Sequence, residues 1–210
     1  ADWGAPSFKI VGQGMPPMVD AGFDFYAPQS FEDVAGRRLM IGWSGCPDAK
    51  AESPTVARGW QCALTVPREL SMRGGKLCQQ PAHEIERMRG NCVRAVGGET
   101  VEEPGRLFDL VVSCEGAKMV ELEIRKGVFV RYTDGMLTLD MGDEGYGRDQ
   151  RSIELGELRD LRVLSDTTMV EIFANGGEAA LTSRTYSPVV PAMELHAEGA
   201  ASMDFYRLAH

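Results

Sequence analysis

Hydrophobic and polar positions alternate with a period of two along much of the chain. Phe108, Leu110, Val112 and Cys114 share one face, with Asp109 and Ser113 on the other. Val120, Leu122 and Ile124 alternate with Glu121, Glu123 and Arg125. Val128, Val130 and Tyr132 repeat the pattern, as do Leu137, Leu139 and Met141. Each run predicts a strand with one buried face and one wet face. The connectors are short. Arg125-Lys126-Gly127 joins two of these strands and Thr133-Asp134-Gly135 the next two. Asp-Gly accepts the positive φ that a tight hairpin turn requires. Asn175-Gly176-Gly177 predicts another hairpin, between strands at 169–174 and 178–184. Two further strands fit 192–197 and 201–208. Nine or ten short strands after residue 100 predict an antiparallel sandwich. The helical period is confined to 82–89, bounded by Pro81 and Gly90.

The first part of the chain is also strand-like. Strands at 23–26 and 38–43 bracket a turn at 33–36, and 62–66 predicts a third. Between the last two lies a loop at 44–59, rich in Pro, Ser and Ala. A loop that long is expected to bind something or to be disordered.

Composition narrows the function classes. The 210 residues carry 22 Lys and Arg against 31 Asp and Glu, a net charge of −9. That excludes a general nucleic-acid binder, which needs a basic face, and argues against an anionic membrane surface. No apolar run reaches the length that crosses a bilayer. The acidity is uneven: residues 1–75 hold 7 basic and 8 acidic side chains, so the surplus lies in the remainder. All three tryptophans, Trp3, Trp43 and Trp60, fall in the first sixty residues. Two regions, 1–75 and 76–210, are expected, with a boundary near Arg73-Gly74-Gly75. Five cysteines without a CxxC predict free thiols in a reducing compartment, not a disulfide framework or a zinc site. His83, His196 and His210 are scattered. No metal site is expected, no cofactor is implied, and a cytoplasmic location follows from the thiols.

Four stretches resemble glycoside hydrolase family 32, which contains invertases, sucrose-6-phosphate hydrolases, levanases and inulinases. They are Gly22-Phe23-Asp24-Phe25-Tyr26-Ala27-Pro28-Gln29, Arg37-Arg38-Leu39-Met40-Ile41-Gly42-Trp43, Gly59-Trp60 with Leu64-Thr65-Val66-Pro67-Arg68-Glu69-Leu70, and Val170-Glu171-Ile172-Phe173-Ala174-Asn175-Gly176-Gly177-Glu178 with Thr182-Ser183-Arg184. The resemblance implies an all-β chain: a C-terminal antiparallel β-sandwich preceded by the last one to one and a half blades of a five-bladed β-propeller. It also implies a retaining fructosidase chemistry, with a carboxylate nucleophile, a carboxylic acid/base and a third, stabilising Asp.

The departure from the family pattern matters as much. The nucleophile belongs to a Trp-Met-Asn-Asp-Pro-Asn-Gly motif, the stabiliser to Arg-Asp-Pro and the acid/base to Glu-Cys. Neither Asp-Pro, Asn-Asp nor Glu-Cys occurs in this sequence. The expectation is therefore the C-terminal part of such an enzyme, with no catalytic residue in this chain and no activity of the chain alone. A fructosyl sugar, sucrose or sucrose-6-phosphate, is the substrate expected of the intact enzyme. A non-catalytic sandwich module for carbohydrate binding or assembly is the alternative.

The resemblance implies that Tyr26 and Trp43 line the fructose pocket, where a ring face packs on sugar C–H groups. Taken alone, both also fit propeller core. Asp24 reads either as a carboxylate aimed into that pocket or as a solvated strand-end residue. Arg58, at the end of the long loop, reads as a phosphate contact or as a solvated loop residue. Unpaired blade edges within residues 1–75 are expected to self-associate, or to leave parts of 1–20 and 44–59 disordered.

Overall fold

The computed structural model describes residues 18–45 and 53–209. Eighteen short strands account for most of them. The first sheet contains β1 (Tyr26–Glu32), β2 (Arg38–Ser44), β3 (Ala63–Leu64), β4 (Arg68–Arg73) and β5 (Lys76–Pro81). Its order is β1-β2-β4-β5, antiparallel throughout, with β3 paired to the end of β2. This is one four-stranded blade. The Asp33–Gly36 turn closes β1 onto β2 as expected, with Gly36 N–H donating to the Asp33 carbonyl at 3.0 Å.

The remaining strands are β6 (Arg89–Val96), β7 (Thr100–Glu102), β8 (Phe108–Ser113), β9 (Met119–Arg125), β10 (Val128–Thr133), β11 (Met136–Asp140), β12 (Gln150–Glu154), β13 (Asp160–Ser165), β14 (Met169–Ala174), β15 (Ala179–Arg184), β16 (Ala192–Glu194), β17 (His196–Glu198) and β18 (Ser202–Leu208). They form two main antiparallel sheets, β12-β11-β10-β9-β17 and β15-β14-β13-β8-β18-β6, with a small β16-β7 pair beside them.

The core lies between the two large sheets. Val120, Leu122, Ile124, Val128, Val130, Leu137 and Leu139 enter it from one, and Phe108, Leu110, Val112, Leu161, Val163, Ile172 and Phe205 from the other. All are essentially excluded from water. Each such side chain contributes about 1.5–3 kcal/mol relative to exposure. The period-two faces thus point where the alternation directs them. The Asp134-Gly135 turn takes φ of +50° and +78°, the left-handed geometry that fits a hairpin between β10 and β11.

Several local expectations change. The strand expected at 23–26 begins only at Tyr26, because residues 20–24 lie along the sandwich instead. The strand expected at 62–66 shortens to Ala63–Leu64. The helical stretch is a 3-10 turn, His83–Met88, since Pro81 and Gly90 leave too little chain for α-helical nucleation. Gly74 and Gly75 form the turn between β4 and β5, so the first sheet continues to Pro81 and the sandwich strands begin at Arg89.

Candidate functional site

The site is built where the first sheet meets the sandwich. Strand β15 is an edge strand, and residues 20–24 run along it. The N–H of Ala21 donates to the Ala180 carbonyl at 2.8 Å, and those of Phe23 and Asp24 to the Thr182 carbonyl at 2.9 and 3.0 Å. The Asp20 carboxylate fastens this segment. It accepts the Thr182 N–H at 2.8 Å, the Thr182 hydroxyl at 2.7 Å and the Arg68 guanidinium at 2.9 Å. Beyond Asp24 the chain leaves the sandwich and enters β1.

Tyr26 and Trp43 are register partners on β1 and β2. Their rings stand edge to face, centroids 6.2 Å apart at 73°. Tyr26 is 54% exposed and Trp43 half-buried, so neither is a core aromatic of the described residues. Phe31, further along β1, and Trp60, in the loop before β3, are also exposed. Two adjoining rings with one phenol hydroxyl can stack on sugar C–H groups and bind a sugar hydroxyl.

Asp24 is placed differently from a sugar-facing carboxylate. It is fully buried, and both oxygens are occupied by protein donors. Oδ1 accepts Arg184 Nε at 3.1 Å and lies 3.0 Å from Nη2 of the same guanidinium. Oδ2 accepts the Arg184 N–H at 2.8 Å, the Ser183 hydroxyl at 3.3 Å and Arg148 Nη1. The cause is the path of residues 20–24 along β15, which turns this side chain toward the sandwich. Burial lowers the pKa of Arg184, but the charge of Asp24 and their hydrogen bond outweigh it, so the guanidinium ends above its ordinary value. The remaining donor of Arg184, Nη1, reaches Cys62 Sγ at 3.5 Å. Arg148 and Arg184 lie 124 and 160 residues beyond Asp24 in the chain, and neither was legible as its partner. The only signal was the Thr182-Ser183-Arg184 stretch among the family-like segments.

A second buried cluster lies beside the first. Arg68, from β4, has no access to water and donates to Glu171 of β14 at 2.7 Å, to Asp20 and to Gln79 at 2.9 Å. Its guanidinium lies between the rings of Phe25 and Phe173, 4.6 and 5.1 Å from their centroids. One cation faces two carboxylates. Burial pushes the Glu171 pKa up, and the pull of Arg68 does not offset it.

Arg58 is exposed at the end of a short 3-10 turn, Val56–Arg58. Nearby, the Ser53 hydroxyl bonds that of Tyr186, tying the end of the loop to the sandwich. The rest of the loop, 46–52, lies outside the described residues, as does Cys46; so do 1–17, and with them most of the stretch expected to be disordered. Cys62, Cys78, Cys92 and Cys114 are free thiols. Among the described residues no group of His, Cys, Asp or Glu is arranged to hold a metal, and no helix is long and apolar enough to cross a membrane.

Comparison with known proteins places this geometry. Residues 2–81 match the model of the glycosyl hydrolases family 32 N-terminal domain, and residues 123–208 match that of the family 32 C terminal. The sucrose-6-phosphate hydrolase of Staphylococcus xylosus is 34% identical in an alignment that covers 80% of this chain and 38% of that protein. The raffinose invertase of Escherichia coli is 36% identical over 86% of this chain and 40% of that protein. Among solved structures, the sucrose-6-phosphate hydrolase of Lactobacillus gasseri aligns with a TM-score of 0.78 at 23% identity, over 91% of this chain and 42% of that one. A β-fructofuranosidase of Bombyx mori, solved in complex with sucrose, aligns with a TM-score of 0.76 at 21% identity, over 92% and 42%. The chain thus spans about 40% of the length of the curated relatives it matches.

Proposed function

Since the chain belongs to glycoside hydrolase family 32, we propose that it is the C-terminal part of a retaining β-fructofuranosidase acting on sucrose or sucrose-6-phosphate. The observation that carries this reading is the Tyr26–Trp43 pair. It sits in two of the family-like segments of the first sheet and turns its aromatic surface outward. In this reading the two rings contact the fructosyl unit, and the carboxylates that perform the displacement come from outside the 210 residues. Asp24 is not assigned to the sugar, because its oxygens are already occupied; it holds the frame beneath Tyr26. Residues up to Pro81 form the closing blade of the propeller, and Arg89 onward forms the sandwich. The named relatives and the free thiols support a bacterial-type cytoplasmic enzyme.

The test is expression of the complete open reading frame that carries these residues. Three upstream carboxylate motifs and hydrolysis of sucrose or sucrose-6-phosphate are expected. The 210-residue chain alone should turn over neither sugar, because such carboxylates act as a unit. A complete protein that hydrolyses neither sugar, or turnover by the chain alone at an ordinary glycosidase rate, would overturn the reading.

A further inference from the structure

We propose that Arg184 of the sandwich is a positioning residue for the sugar-binding wall, setting the two halves of the aromatic pair at once; this rests on the functional reading above. The guanidinium has two separate attachments. Through Nε and Nη2 it grips Asp24, two residues before Tyr26, at 3.1 and 3.0 Å. Through Nη1 it meets Cys62 Sγ at 3.5 Å.

Cys62 lies near the other ring of the pair, across Gly45. Gly45 is wedged between them: a Cβ built there would stand 2.5 Å from the Trp43 indole and 3.0 Å from Cys62 Sγ. The next residues, Ala63 and Leu64, pair with Ser44 and Trp43. Arg184 therefore touches the chain immediately before Tyr26 and the segment that backs Trp43. It is itself fixed, as the last residue of β15, with its own N–H bonded to Asp24 at 2.8 Å and its side chain 8% exposed.

The arrangement explains why a fully buried carboxylate and a largely buried guanidinium stand at this position. A buried ion pair is a weak source of stability against apolar packing, but a planar guanidinium fixes direction, because its donors leave in set directions. Here those directions run to Asp24, two residues before Tyr26, and to Cys62, just before the strand that pairs with Trp43. The ring separation of 6.2 Å is then set by the sandwich, not only by the blade. The contacts act on the resting geometry of the wall, so their loss weakens substrate and transition-state binding alike. That pattern raises KM and leaves kcat nearly unchanged.

The experiment uses the complete enzyme with Arg184→Ala, Arg184→Lys and Asp24→Asn, and Val163→Ala as a control for lost stability. Val163 is buried in the sandwich core, away from both rings. Arg184→Ala should raise KM for sucrose or its 6-phosphate about tenfold, because a displaced wall loses contact with ground state and transition state alike, with kcat within about twofold. Arg184→Lys keeps a charge at Asp24 but loses the planar fork and its second attachment at Cys62, so it should recover only part of that loss and keep KM clearly above wild type. Asp24→Asn should raise KM in the same direction. Val163→Ala should lower the melting temperature without moving KM. If Arg184→Ala does not fold, Arg184→Lys and Asp24→Asn decide the matter by the same KM–kcat split. Unchanged KM in these folded variants, or an equal KM rise in Val163→Ala, overturns the positioning role while leaving the fructosidase reading intact. An inactive wild-type enzyme overturns both.

Discussion

The guanidinium of Arg68 meets the carboxylate of Glu171 at 2.7 Å across the junction of blade and sandwich, and neither side chain reaches water. Arg68 also holds Asp20, so one cation offsets two buried carboxylates. Removing one partner of such a cluster leaves charge uncompensated in a medium that solvates it poorly. Arg68→Ala should therefore destabilise the chain by about 3–5 kcal/mol, well above the effect of losing a surface ion pair such as Lys76–Glu178. Urea unfolding of the two deletions checks this. Equal midpoints for Arg68→Ala and Lys76→Ala would show that the junction does not depend on the cluster.

The same cluster gives a pH signature. Burial raises the Glu171 pKa above its ordinary 4.5. A carboxyl raised on folding contributes its stabilisation below the unfolded value and loses it as pH climbs through the folded one. Wild type should therefore lose stability relative to Glu171→Gln as pH rises from 4.5 upward. Unfolding free energies of both proteins between pH 4 and 8 test the slope. Parallel curves would mean that Arg68 keeps Glu171 charged at no cost.

Phe205 and Phe31 are both aromatic strand residues in opposite surroundings. Phe205 is fully buried and packs on Phe108 with centroids 5.3 Å apart, while Phe31 is 47% exposed on β1. Phe205→Ala should cost about 3–5 kcal/mol through lost burial and a cavity. Phe31→Ala should cost under about 1 kcal/mol. Denaturation midpoints compared at equal slope decide it, and similar losses would contradict the assignment of the core.

These contrasts mark what a sequence can carry. The runs at Val120–Ile124 and Leu137–Met141 declare themselves because one face meets water and the other does not. Strand β6 does not, because it is an edge strand with almost every residue exposed, so no alternation is imposed on Asn91 to Arg94. The family-like segments single out Tyr26 and Trp43, and only the register of β1 and β2 brings their rings together. Asp24 was misread because its surroundings are non-local. A strand-end Asp between Phe23 and Phe25 looks free until folding delivers Arg148 and Arg184 from the far end of the chain. Long-range ion pairs leave no periodic trace, since only the fold brings them together.

The exposed side of the blade supplies the last prediction. All seven residues of β1 are exposed, β1 ends its sheet, and among the described residues no strand pairs with its outer edge. Tyr26, Phe31, Leu64 and Met72 add apolar surface to that sheet. An open edge beside apolar side chains is a template for pairing with another chain. The isolated 210 residues should therefore self-associate, and the mass measured by light scattering should rise with concentration. Phe31→Lys, which sets a charge on the edge, should return the chain toward the 23.0 kDa of a monomer. Where further propeller blades pack on this sheet in a longer protein, Phe31→Lys should there disturb folding instead of assembly. A chain that stays monomeric at every concentration, or an association that Phe31→Lys leaves untouched, would place the contact elsewhere and remove β1 as its cause.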